Sequence, residues 1–439
     1  MQGASARARA LAQAPMRRAP APQPSVEKIL SVRAVGGQGD GLATAEDGGR
    51  VFLPLTLAGE RARASVAGDR GELIELLEAS PERVEPPCLH FGECGGCALQ
   101  HWDYEAQLAW KREQVRQVLG REGLETEVAP GVPARPESRR RVALHARPGR
   151  GGAILGYKAR RSWRLVEIAV CPISDRRIVE ALPGLRKLAA AFLDHPKSAP
   201  TLHVTLTRSG LDVDVTGVER KSGGMTADRK MQAAEAAAEA GLARLTLAGE
   251  PLYVPGQPVV RLGQALVELP AGAFLQATPQ AEAAMVAETL AATDGARKVA
   301  DLFCGVGTFT FPLAERAPVM AVDGAADPVG ALKAAAGRTH GLKPIEAAVR
   351  DLFRNPVSAS ELKGCDAVVF DPPRAGALEQ ARQIAESGAA VVVGVSCNPT
   401  TFARDARVLV DAGLALERVT PVDQFLWSAH IELVGVFRR

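Results

Sequence analysis

Residues 299–313 read VADLFCGVGTFTFPL, an apolar run followed by a glycine-containing loop and a second apolar run. This order predicts a buried strand that ends near Phe303, a tight loop from Cys304 to Thr308, and then a helix. Glycine has no Cβ and tolerates positive φ, so such a loop lets the backbone approach a ligand closely. Because many nucleotide and cofactor sites share one glycine-rich loop, the interpretation depends on the downstream strands.

Four apolar runs downstream of the loop each end in polar residues. Val319–Asp323 ends in a carboxylate about 20 residues on, where a doubly wound sheet places an acid for ribose hydroxyls. AAVRD then ends at Asp351, AVVFD at Asp371, and AVVVGVSC at Ser396–Cys397. Open α/β sheets bind ligands at the carboxyl ends of their strands, so the pattern predicts a cofactor site on a parallel sheet.

The motifs DLFCGVGTF, AVDG, RDLF, DPPR, SCNP and HIEL occur in this order. Together they resemble the S-adenosylmethionine-dependent RNA uridine-5 methyltransferases, a bacterial family that modifies uridines in ribosomal and transfer RNA. The resemblance runs from about Ser25 to the C-terminus, and the pairing of DPPR with SCNP is its most specific part. It implies an α/β fold: a Rossmann-like class I methyltransferase domain with a seven-stranded sheet, an N-terminal OB-like TRAM barrel, and a central α+β domain that binds RNA and an iron–sulfur cluster.

The composition is that of an ordinary globular protein, with 439 residues, 46% of them hydrophobic and 23% charged. This length predicts two or three domains, each with its own core. No stretch approaches the roughly 18 to 20 uninterrupted apolar residues of a membrane span. Seven cysteines without a secretory leader indicate a reducing compartment. We therefore expect a cytoplasmic protein that has no membrane partner and acts as a monomer.

The chain is predicted to consist of four segments. Residues 1–25 are rich in Ala, Arg and Pro without an acid, which predicts a disordered tail, with an organellar transit peptide as the alternative. Residues 26–84 contain short apolar alternations separated by GGQGDG and EDGGR turns, which predicts a small barrel of the OB type. We assign residues 85–270 to the central domain and residues 271–439 to the catalytic domain.

Four cysteines have the spacing of a metal or cluster site. Cys88, Cys94 and Cys97 lie close together as C-x5-C-x2-C, and Cys171 occurs far downstream in VCPIS. Four thiolates can hold either zinc or an iron–sulfur cluster. Three clustered ligands and one distant ligand fit a cluster better, and the family resemblance implies a 4Fe–4S cluster at these four positions. Zinc is the alternative.

The net charge of +3 is unevenly distributed. Between Pro133 and Arg177 there are 12 Lys or Arg residues against 3 Asp or Glu residues, with Tyr157 and Trp163 among them. Guanidinium groups between aromatic rings can bind phosphates and stack unpaired bases, so this stretch is a candidate RNA-binding surface. A solvated basic face, with the aromatic rings packed against a sheet, is the alternative.

Uridine methylation at carbon 5 needs a thiolate that adds to carbon 6 and a base that later removes the carbon 5 proton. Cys397 is the predicted nucleophile, because it ends a strand just before a helix whose N-terminus would lower the thiol pKa. Glu432, in the otherwise apolar HIELVGVF, is the predicted base. The alternative for Cys397 is a small buried residue with a structural role. The alternative for Glu432 is a carboxylate on an edge strand whose hydrogen bonds are all made.

The resemblance also implies the residues that contact the cofactor. Asp371 of DPPR should face both the cofactor and the target base, and Arg374 could contact a phosphate or a base. Thr278 and Thr308 stand where the family usually has Asn, so their contacts stay open. The implied cofactor-binding residues are Gln276, Phe303, Gly305, Asp323, Asp351 and Asp371.

The N-terminal barrel and the complete cysteine set resemble the branch of the family that acts on 23S rRNA, and the T-loop of transfer RNA is the alternative substrate. A nicotinamide oxidoreductase is a competing interpretation, but the loop lacks the full G-x-G-x-x-G pattern. A non-catalytic iron–sulfur RNA-binding factor is a further competing interpretation. Such a factor would have no need of Cys397, Asp371 and Glu432 together.

Overall fold

A computed structural model describes residues 24–150, 152–193, 198–218 and 225–439, which form two compact units. Within this part of the chain, the smaller unit runs to Gly36 and continues over Asp40–Pro81, and the larger comprises Gly37–Gly39 and Glu82–Arg439. The predicted tail at residues 1–25 lies outside the described residues except for its last two. No helix in the described ranges is long and apolar enough to cross a membrane.

The smaller unit is a closed barrel of five strands in the order β1-β2-β3-β5-β4. Alternate residues are buried along β4, as expected when one face of a strand points into a barrel. The interior is filled by side chains such as Leu30, Val51 and Leu53. The predicted OB-like barrel is therefore confirmed. Its strands are β1 (Val26–Val35), β2 (Gly41–Ala45), β3 (Arg50–Leu53), β4 (Arg61–Ala67) and β5 (Arg70–Glu78).

The larger unit contains an 18-residue helix, α1 (Tyr104–Arg121), before a two-residue strand, β6 (Glu127–Val128). Asp103 caps the N-terminus of this helix. Its side chain accepts a hydrogen bond from the Ala106 backbone N–H, one of the N–H groups in the first turn that have no partner within the helix. Its buried residues recur every four positions: Gln107, Lys111, Val115 and Leu119. Two polar residues thus lie on the buried face, and one of them, Lys111, forms an ion pair with Asp423 inside the protein.

The central part of the larger unit is a seven-stranded sheet in the order β13-β12-β11-β10-β7-β8-β9. Three helices share one hydrophobic core with it, in which Leu144 and Val204 of the sheet pack with Leu185. This is the predicted α+β architecture. The elements are β7 (Arg141–Gly149), β8 (Gly152–Lys158), β9 (Leu165–Glu167), α2 (Arg176–Glu180), α3 (Leu182–Ala190), β10 (Thr201–Thr207), β11 (Gly210–Thr216), α4 (Ala227–Glu239), β12 (Arg244–Leu247) and β13 (Glu250–Tyr253).

The C-terminal part is a larger sheet with helices on both faces, preceded by a hairpin. The elements are β14 (Val259–Leu262), β15 (Ala265–Glu268), α5 (Pro279–Ala292), β16 (Val299–Leu302), α6 (Thr310–Ala314), β17 (Val319–Asp323), α7 (Ala326–Arg338), β18 (Ile345–Val349), α8 (Ala359–Leu362), β19 (Ala367–Phe370), α9 (Leu378–Glu386), β20 (Val391–Ser396), α10 (Pro399–Asp411), β21 (Ala415–Val422) and β22 (Glu432–Arg438).

The strand order of this sheet is β18-β17-β16-β19-β20-β22-β21-β6. The first five strands are parallel and β22 runs antiparallel to both of its neighbours, which confirms the Rossmann-like fold. The expected seven strands are joined by an eighth, because β6 pairs in parallel with β21. Two residues are too few to show a hydrophobic period, so this strand could not be predicted from the sequence.

The hairpin of β14 and β15 belongs to the core of the larger sheet. Val260 and Val267 of the hairpin are buried in the same cluster as Val299 of β16. From the sequence, these residues were expected in the central segment, before residue 271. Alternation of apolar residues shows that a hairpin forms but not which core it joins. The boundary between the central and catalytic domains stays a prediction.

Candidate active site

A cavity of about 940 Å³ lies at the carboxyl ends of the parallel strands. The strand order reverses between β16 and β19, and open α/β sheets place their ligand crevice at such a switch point. Ligand cavities commonly measure about 300 to 1,000 Å³, so this volume can hold a cofactor together with a target base. It is lined by all eight residues predicted for catalysis or cofactor binding: Gln276, Phe303, Gly305, Asp323, Asp351, Asp371, Cys397 and Glu432.

The loop after β16 has the positive φ angles that its sequence predicts. Gly305 adopts φ +53° and Gly307 adopts φ +100°. A Cβ at Gly307 would lie 2.7 Å from the Phe311 ring, whereas a Cβ at Gly305 would meet no atom within 4 Å. Gly307 is therefore needed for packing beneath the loop. Gly305 leaves the cavity open and lets the backbone turn.

Asp323 ends β17 and accepts two backbone hydrogen bonds. Its Oδ2 accepts from the Gly305 N–H at 3.0 Å, and its Oδ1 accepts from the Ala325 N–H at 2.8 Å. A carboxylate has about four acceptor sites, so this side chain keeps the capacity to bind two ribose hydroxyls. The same contacts fix the orientation of the carboxylate at the cavity wall.

Two aromatic rings form part of the wall beyond Asp323. The ring centroids of Phe303 and Phe353 are 5.6 Å apart, and Phe353 is 51% exposed. The Asp351 carboxylate lies beside them and accepts a hydrogen bond from the Phe353 N–H at 3.0 Å. An apolar surface beside an acceptor suits a purine ring with an amino group. Phe353 was not among the residues predicted from the sequence, although it is the last residue of the RDLF motif.

The ladder between β20 and β22 places the predicted nucleophile beside the predicted base. The strands pair antiparallel with Ser396 opposite Leu433. One further step of this register puts Cys397 opposite Glu432. Side chains directly opposite in an antiparallel pair lie on the same face of the sheet, and both residues line the cavity.

The expected lowering of the Cys397 pKa is wrong. Burial raises this pKa and the negative charge of Glu432 raises it further, whereas the charge of Arg374 and a hydrogen bond to it lower the pKa. The predicted helix N-terminus is present, because the Asn398 side chain accepts from the Thr400 N–H at 3.1 Å and caps α10. Desolvation of the thiol is nevertheless the largest cause acting on its pKa, and it raises the pKa. Arg374 is the neighbouring cation that favours the thiolate.

Two side chains of the Asn398–Thr401 segment hold the backbone of Arg374 beside the thiol. The Asn398 Nδ2 donates to the Arg374 carbonyl at 3.0 Å, and the Thr401 Oγ1 donates to it at 3.2 Å. The guanidinium lies 3.1 Å from the Nδ1 of His430. Arg374 therefore faces the candidate nucleophile, whereas from the sequence only a phosphate or a base was expected as its partner.

Two carboxyl groups in the cavity have raised pKa values. Glu432 is only 4% exposed, and burial together with the charge of Asp371 raises its pKa to about 8. Burial also raises the pKa of Asp371 to about 7, although a hydrogen bond from the Gln276 Nε2, at 3.0 Å, lowers it. A base whose pKa lies near the working pH is well matched to proton transfer.

Part of the basic stretch connects the central sheet to the segment that carries Gln276. Arg140 is buried, its Nε donates to the Gln276 carbonyl at 3.0 Å, and its guanidinium forms an ion pair with Glu282. The guanidinium of Arg141 donates to the Leu275 carbonyl at 2.9 Å. Arg140 and Arg141 thus position residues of the active site, a role that a count of charges could not show.

Thr278, whose contacts the sequence left open, lies just after this segment. Its side chain caps α5 by accepting a hydrogen bond from the Ala281 N–H. The residue therefore fixes the start of the helix that leads away from Gln276.

The two aromatic residues of the basic stretch lie in different environments. Tyr157 packs against the central core and lines a cavity with the four cysteines. Trp163 is 80% exposed, and the Nζ of Lys158 lies 4.1 Å from its ring centroid. The alternative of a ring packed against the sheet is therefore correct for Tyr157 and wrong for Trp163.

The four predicted cluster ligands line one cavity of about 230 Å³: Cys88, Cys94, Cys97 and Cys171. Burial, together with the charges of the other three thiolates, raises the pKa of Cys97 to about 12, although a hydrogen bond with Gln100 lowers it. Such thiols stay protonated unless a metal takes the place of their protons. Within the part of the chain that the structure describes, no three His, Cys, Asp or Glu side chains lie close enough together to hold one metal ion.

The chain is similar to several known methyltransferases. Residues 346–439 match the family model described as tRNA (Uracil-5-)-methyltransferase. An RNA methyltransferase of Caulobacter vibrioides is 63% identical over 412 residues, which cover 93% of this chain and 99% of that relative. A 23S rRNA (uracil(1939)-C(5))-methyltransferase of Pseudomonas putida is 34% identical over 430 residues, which cover 93% of both chains.

A solved structure shares the fold over nearly the whole length. It is the Pyrococcus abyssi tRNA (uracil-54, C5)-methyltransferase in complex with S-adenosyl-L-homocysteine, with a TM-score of 0.71 and 22% identity. The match covers 93% of this chain and 99% of that chain. At 22% identity this structure supports the fold only, whereas the sequence relatives and the family model support the assignment to a family. The chain belongs to the RNA uracil-5 methyltransferase family, whose members are S-adenosylmethionine-dependent enzymes.

Proposed function

We propose that this enzyme transfers a methyl group from S-adenosylmethionine to carbon 5 of a uridine in 23S rRNA. The observation that carries the proposal is that Cys397 and Glu432 line one cavity with Asp371, next to the last strand pair, Ser396 and Leu433, and that the charge of Glu432 acts on the Cys397 thiol. A thiol and a separate base next to a cofactor crevice are what carbon 5 methylation of uracil requires.

In the proposed reaction the Cys397 Sγ adds to carbon 6 of the flipped uracil, which makes carbon 5 nucleophilic. S-adenosylmethionine, held by Gly305, Asp323 and Asp351, supplies the methyl group as an electrophile. Glu432 then removes the carbon 5 proton, the bond between Sγ and carbon 6 breaks, and the methylated base leaves. Arg374 stabilises the thiolate before attack and after release, because its guanidinium lies beside the thiol.

Asp371 and Gln276 are proposed to position the base and the cofactor against each other. The hydrogen bond between them fixes both side chains at the cavity wall. Positioning of this kind matters because the transfer needs the reacting atoms about 3 to 3.5 Å apart and aligned.

The choice of 23S rRNA has two supports. The Pseudomonas putida relative, which is named for 23S rRNA, is similar along 93% of this chain. OB-type barrels are common oligonucleotide-binding scaffolds. Transfer RNA is the alternative substrate, since the family model is named for tRNA.

We further propose that the four cysteines hold a 4Fe–4S cluster. They line one cavity, and burial raises the thiol pKa values of Cys94 and Cys97, so these two thiols need a metal to become charged. A zinc ion needs all its thiolates at about 2.3 Å from one centre, whereas each thiolate of a cluster binds a different iron atom. The spacing of three clustered cysteines and one distant cysteine also favours a cluster, with zinc as the alternative.

The test of the proposed reaction compares two cysteine variants of the full-length enzyme. Cys397→Ala should abolish methyl transfer to RNA and leave S-adenosylmethionine binding within about threefold of the wild type, because Sγ acts on the base rather than the cofactor. Cys365→Ala is the matched control, since Cys365 is buried outside the lining of this cavity. Turnover by Cys397→Ala would remove this residue from its proposed role.

A further inference from the structure

Gln424 lies at the centre of a buried hydrogen-bond network in the active site. It sits in the connection between β21 and β22 and is 3% exposed. Its Nε2 donates to the Glu432 Oε1 at 2.8 Å and to the Gln276 Oε1 at 2.9 Å. Its own Oε1 accepts from the Ala277 backbone N–H at 2.6 Å. One side chain thus contacts the candidate base and the residue that contacts Asp371.

The backbone contact fixes the direction of every bond in this network. A backbone N–H can only donate, so the atom of Gln424 that faces Ala277 must be the amide oxygen. Both N–H groups of Gln424 then point at Gln276 and Glu432. The oxygen of Gln276 is consequently an acceptor, and its amide nitrogen donates to the Asp371 Oδ2 at 3.0 Å. The opposite amide orientation of Gln424 would put its oxygen against the Glu432 carboxylate.

A buried ion pair anchors the segment that carries Gln424. The neighbouring Asp423 accepts from the Lys111 Nζ at 2.7 Å and from the Tyr104 hydroxyl at 3.1 Å, and the side chains of the ion pair are both 0% exposed. The second oxygen of Asp423 accepts from the Phe425 N–H at 2.8 Å. The Lys111 Nζ also donates to the Phe425 carbonyl at 3.3 Å, so α1 contacts both neighbours of Gln424 and reduces its freedom to move away from Glu432.

We propose that Gln424 is a positioning residue that holds the Glu432 carboxylate through Oε1, so that Oε2 faces the carbon 5 proton of the bound uridine. This proposal rests on the proposed function, because it assumes that Glu432 is the base. Gln424 also donates to Gln276, which in turn donates to Asp371. The orientation of the Glu432 carboxylate therefore depends on the positions of Gln276 and Asp371.

The network predicts how the loss of Gln424 changes the enzyme. The groups that face Glu432 are Asp371, whose charge raises its pKa, Arg374, which lowers it, Gln424, which lowers it, and the thiol of Cys397. Removing the hydrogen bond from Gln424 raises the Glu432 pKa further and releases its carboxylate. Proton removal then becomes slow, while addition of the thiol and methyl transfer proceed, so the methylated covalent adduct accumulates.

The experiment uses the full-length enzyme and a transcript that carries the target uridine. Gln424→Met keeps the length of the side chain without its hydrogen bonds. We expect kcat to fall about 10- to 100-fold, as for loss of a hydrogen bond to a charged group, with the KM for S-adenosylmethionine within about threefold of wild type. The acid limb of the pH profile of kcat should move to higher pH, and a methylated adduct should survive in denaturing gels.

Gln424→Glu is the second variant, in case the methionine disturbs folding. It keeps an oxygen for the Ala277 N–H and places a negative charge beside Glu432, so the acid limb should move further in the same direction. Gln380→Met is the matched control: Gln380 is also buried, and its amide binds both the N–H and the carbonyl of Val357 outside the cavity. It should lose stability without a change in the acid limb.

Two results would overturn the positioning role. One is a Gln424→Met enzyme with the wild-type kcat and pH profile. The other is a folded variant whose kcat falls while its acid limb stays in place and no adduct forms, which indicates a merely structural residue. Failure of the proposed function is distinguishable, because Cys397→Ala would then remain active whatever Gln424 variants do.

Discussion

At the scale of single residues, Glu432 has an environment that matches a late proton-transfer step. Glu432→Gln should therefore stop release of the product but not formation of the covalent bond, since Cys397 is intact. We expect turnover to fall about 10²- to 10⁴-fold, the usual contribution of a positioned base, with methylated RNA trapped on the protein. Denaturing gels with RNA and a labelled methyl donor measure the adduct.

Glu417→Gln is the control for this change, because Glu417 is exposed on the neighbouring strand and pairs with Arg438. It should turn over as the wild type does. If the Glu432→Gln variant released methylated RNA at the normal rate, another group would be the base.

The ionisable groups in the cavity also predict how the rate of methylation depends on pH. Glu432 must be ionised to accept a proton, and its pKa is raised to about 8, so activity should rise as the pH increases through this value. The charge of Asp371 raises this pKa and Arg374 lowers it. Asp371→Asn removes a negative charge, so the acid limb of its residual activity should move to lower pH.

This prediction is checked by kcat measured against pH for the wild type and Asp371→Asn at constant ionic strength. The direction of the shift is decisive even if Asp371→Asn lowers the rate for other reasons. A limb that moves to higher pH would contradict the proposed coupling of the two carboxyl groups.

At the scale of elements, the loop between β8 and β9 presents an exposed aromatic ring among basic residues. Trp163 is 80% exposed with Lys158 against one face, and stacking on an unpaired base contributes about 1 to 3 kcal/mol in other RNA-binding proteins. Trp163→Ala should weaken RNA binding about tenfold and leave S-adenosylmethionine binding unchanged. Filter binding at fixed salt measures the Kd for RNA.

Trp163→Phe provides the control, since phenylalanine keeps a stacking ring at the same position. It should retain most of the affinity that the alanine variant loses. Equal RNA affinity for the wild type and Trp163→Ala would exclude this loop from the RNA interface.

The cysteine loop and the segment of Cys171 should be joined by the proposed cluster. Protein purified without oxygen should be brown, absorb light at about 400 nm and contain about four iron atoms per chain. Cys171→Ser should bleach the protein, whereas Cys365→Ser, at a buried cysteine outside this cavity, should keep the colour. Iron and zinc analysis provides a readout independent of activity, and a colourless wild type loaded with zinc would refute the cluster.

At the scale of the whole molecule, the proposal of 23S rRNA as the substrate predicts a change in the RNA of the cell. A strain that lacks the gene should lose one or more 5-methyluridines from its 23S rRNA. The wild-type gene should restore them, and a gene carrying Cys397→Ala should not. Mapping of methylated uridines in total RNA makes the comparison, and loss confined to transfer RNA would contradict the proposed substrate.

Much of the fold could be predicted from the sequence because its signals are local. The alternation in residues 26–84 predicted a barrel, and the run of strands with polar ends predicted the cofactor crevice, whereas the family resemblance implied the residues that contact the cofactor. Gly305, Asp323 and Asp371 come at or just after strand ends, so their places at one edge of the sheet result from parallel pairing alone. The predicted cytoplasmic location and monomeric state are not tested by this geometry.

The chain order thus determined which chemical groups meet at the strand ends, because strand direction and period are encoded in neighbouring residues. Tertiary structure alone decided how those groups behave. Burial and the charge of Glu432 raise the Cys397 pKa, and Arg140 binds the backbone of the Gln276 segment. Gln424 contacts Glu432 directly and Asp371 through Gln276. Each of these depends on desolvation or on contacts between residues far apart in the chain, which no local pattern records.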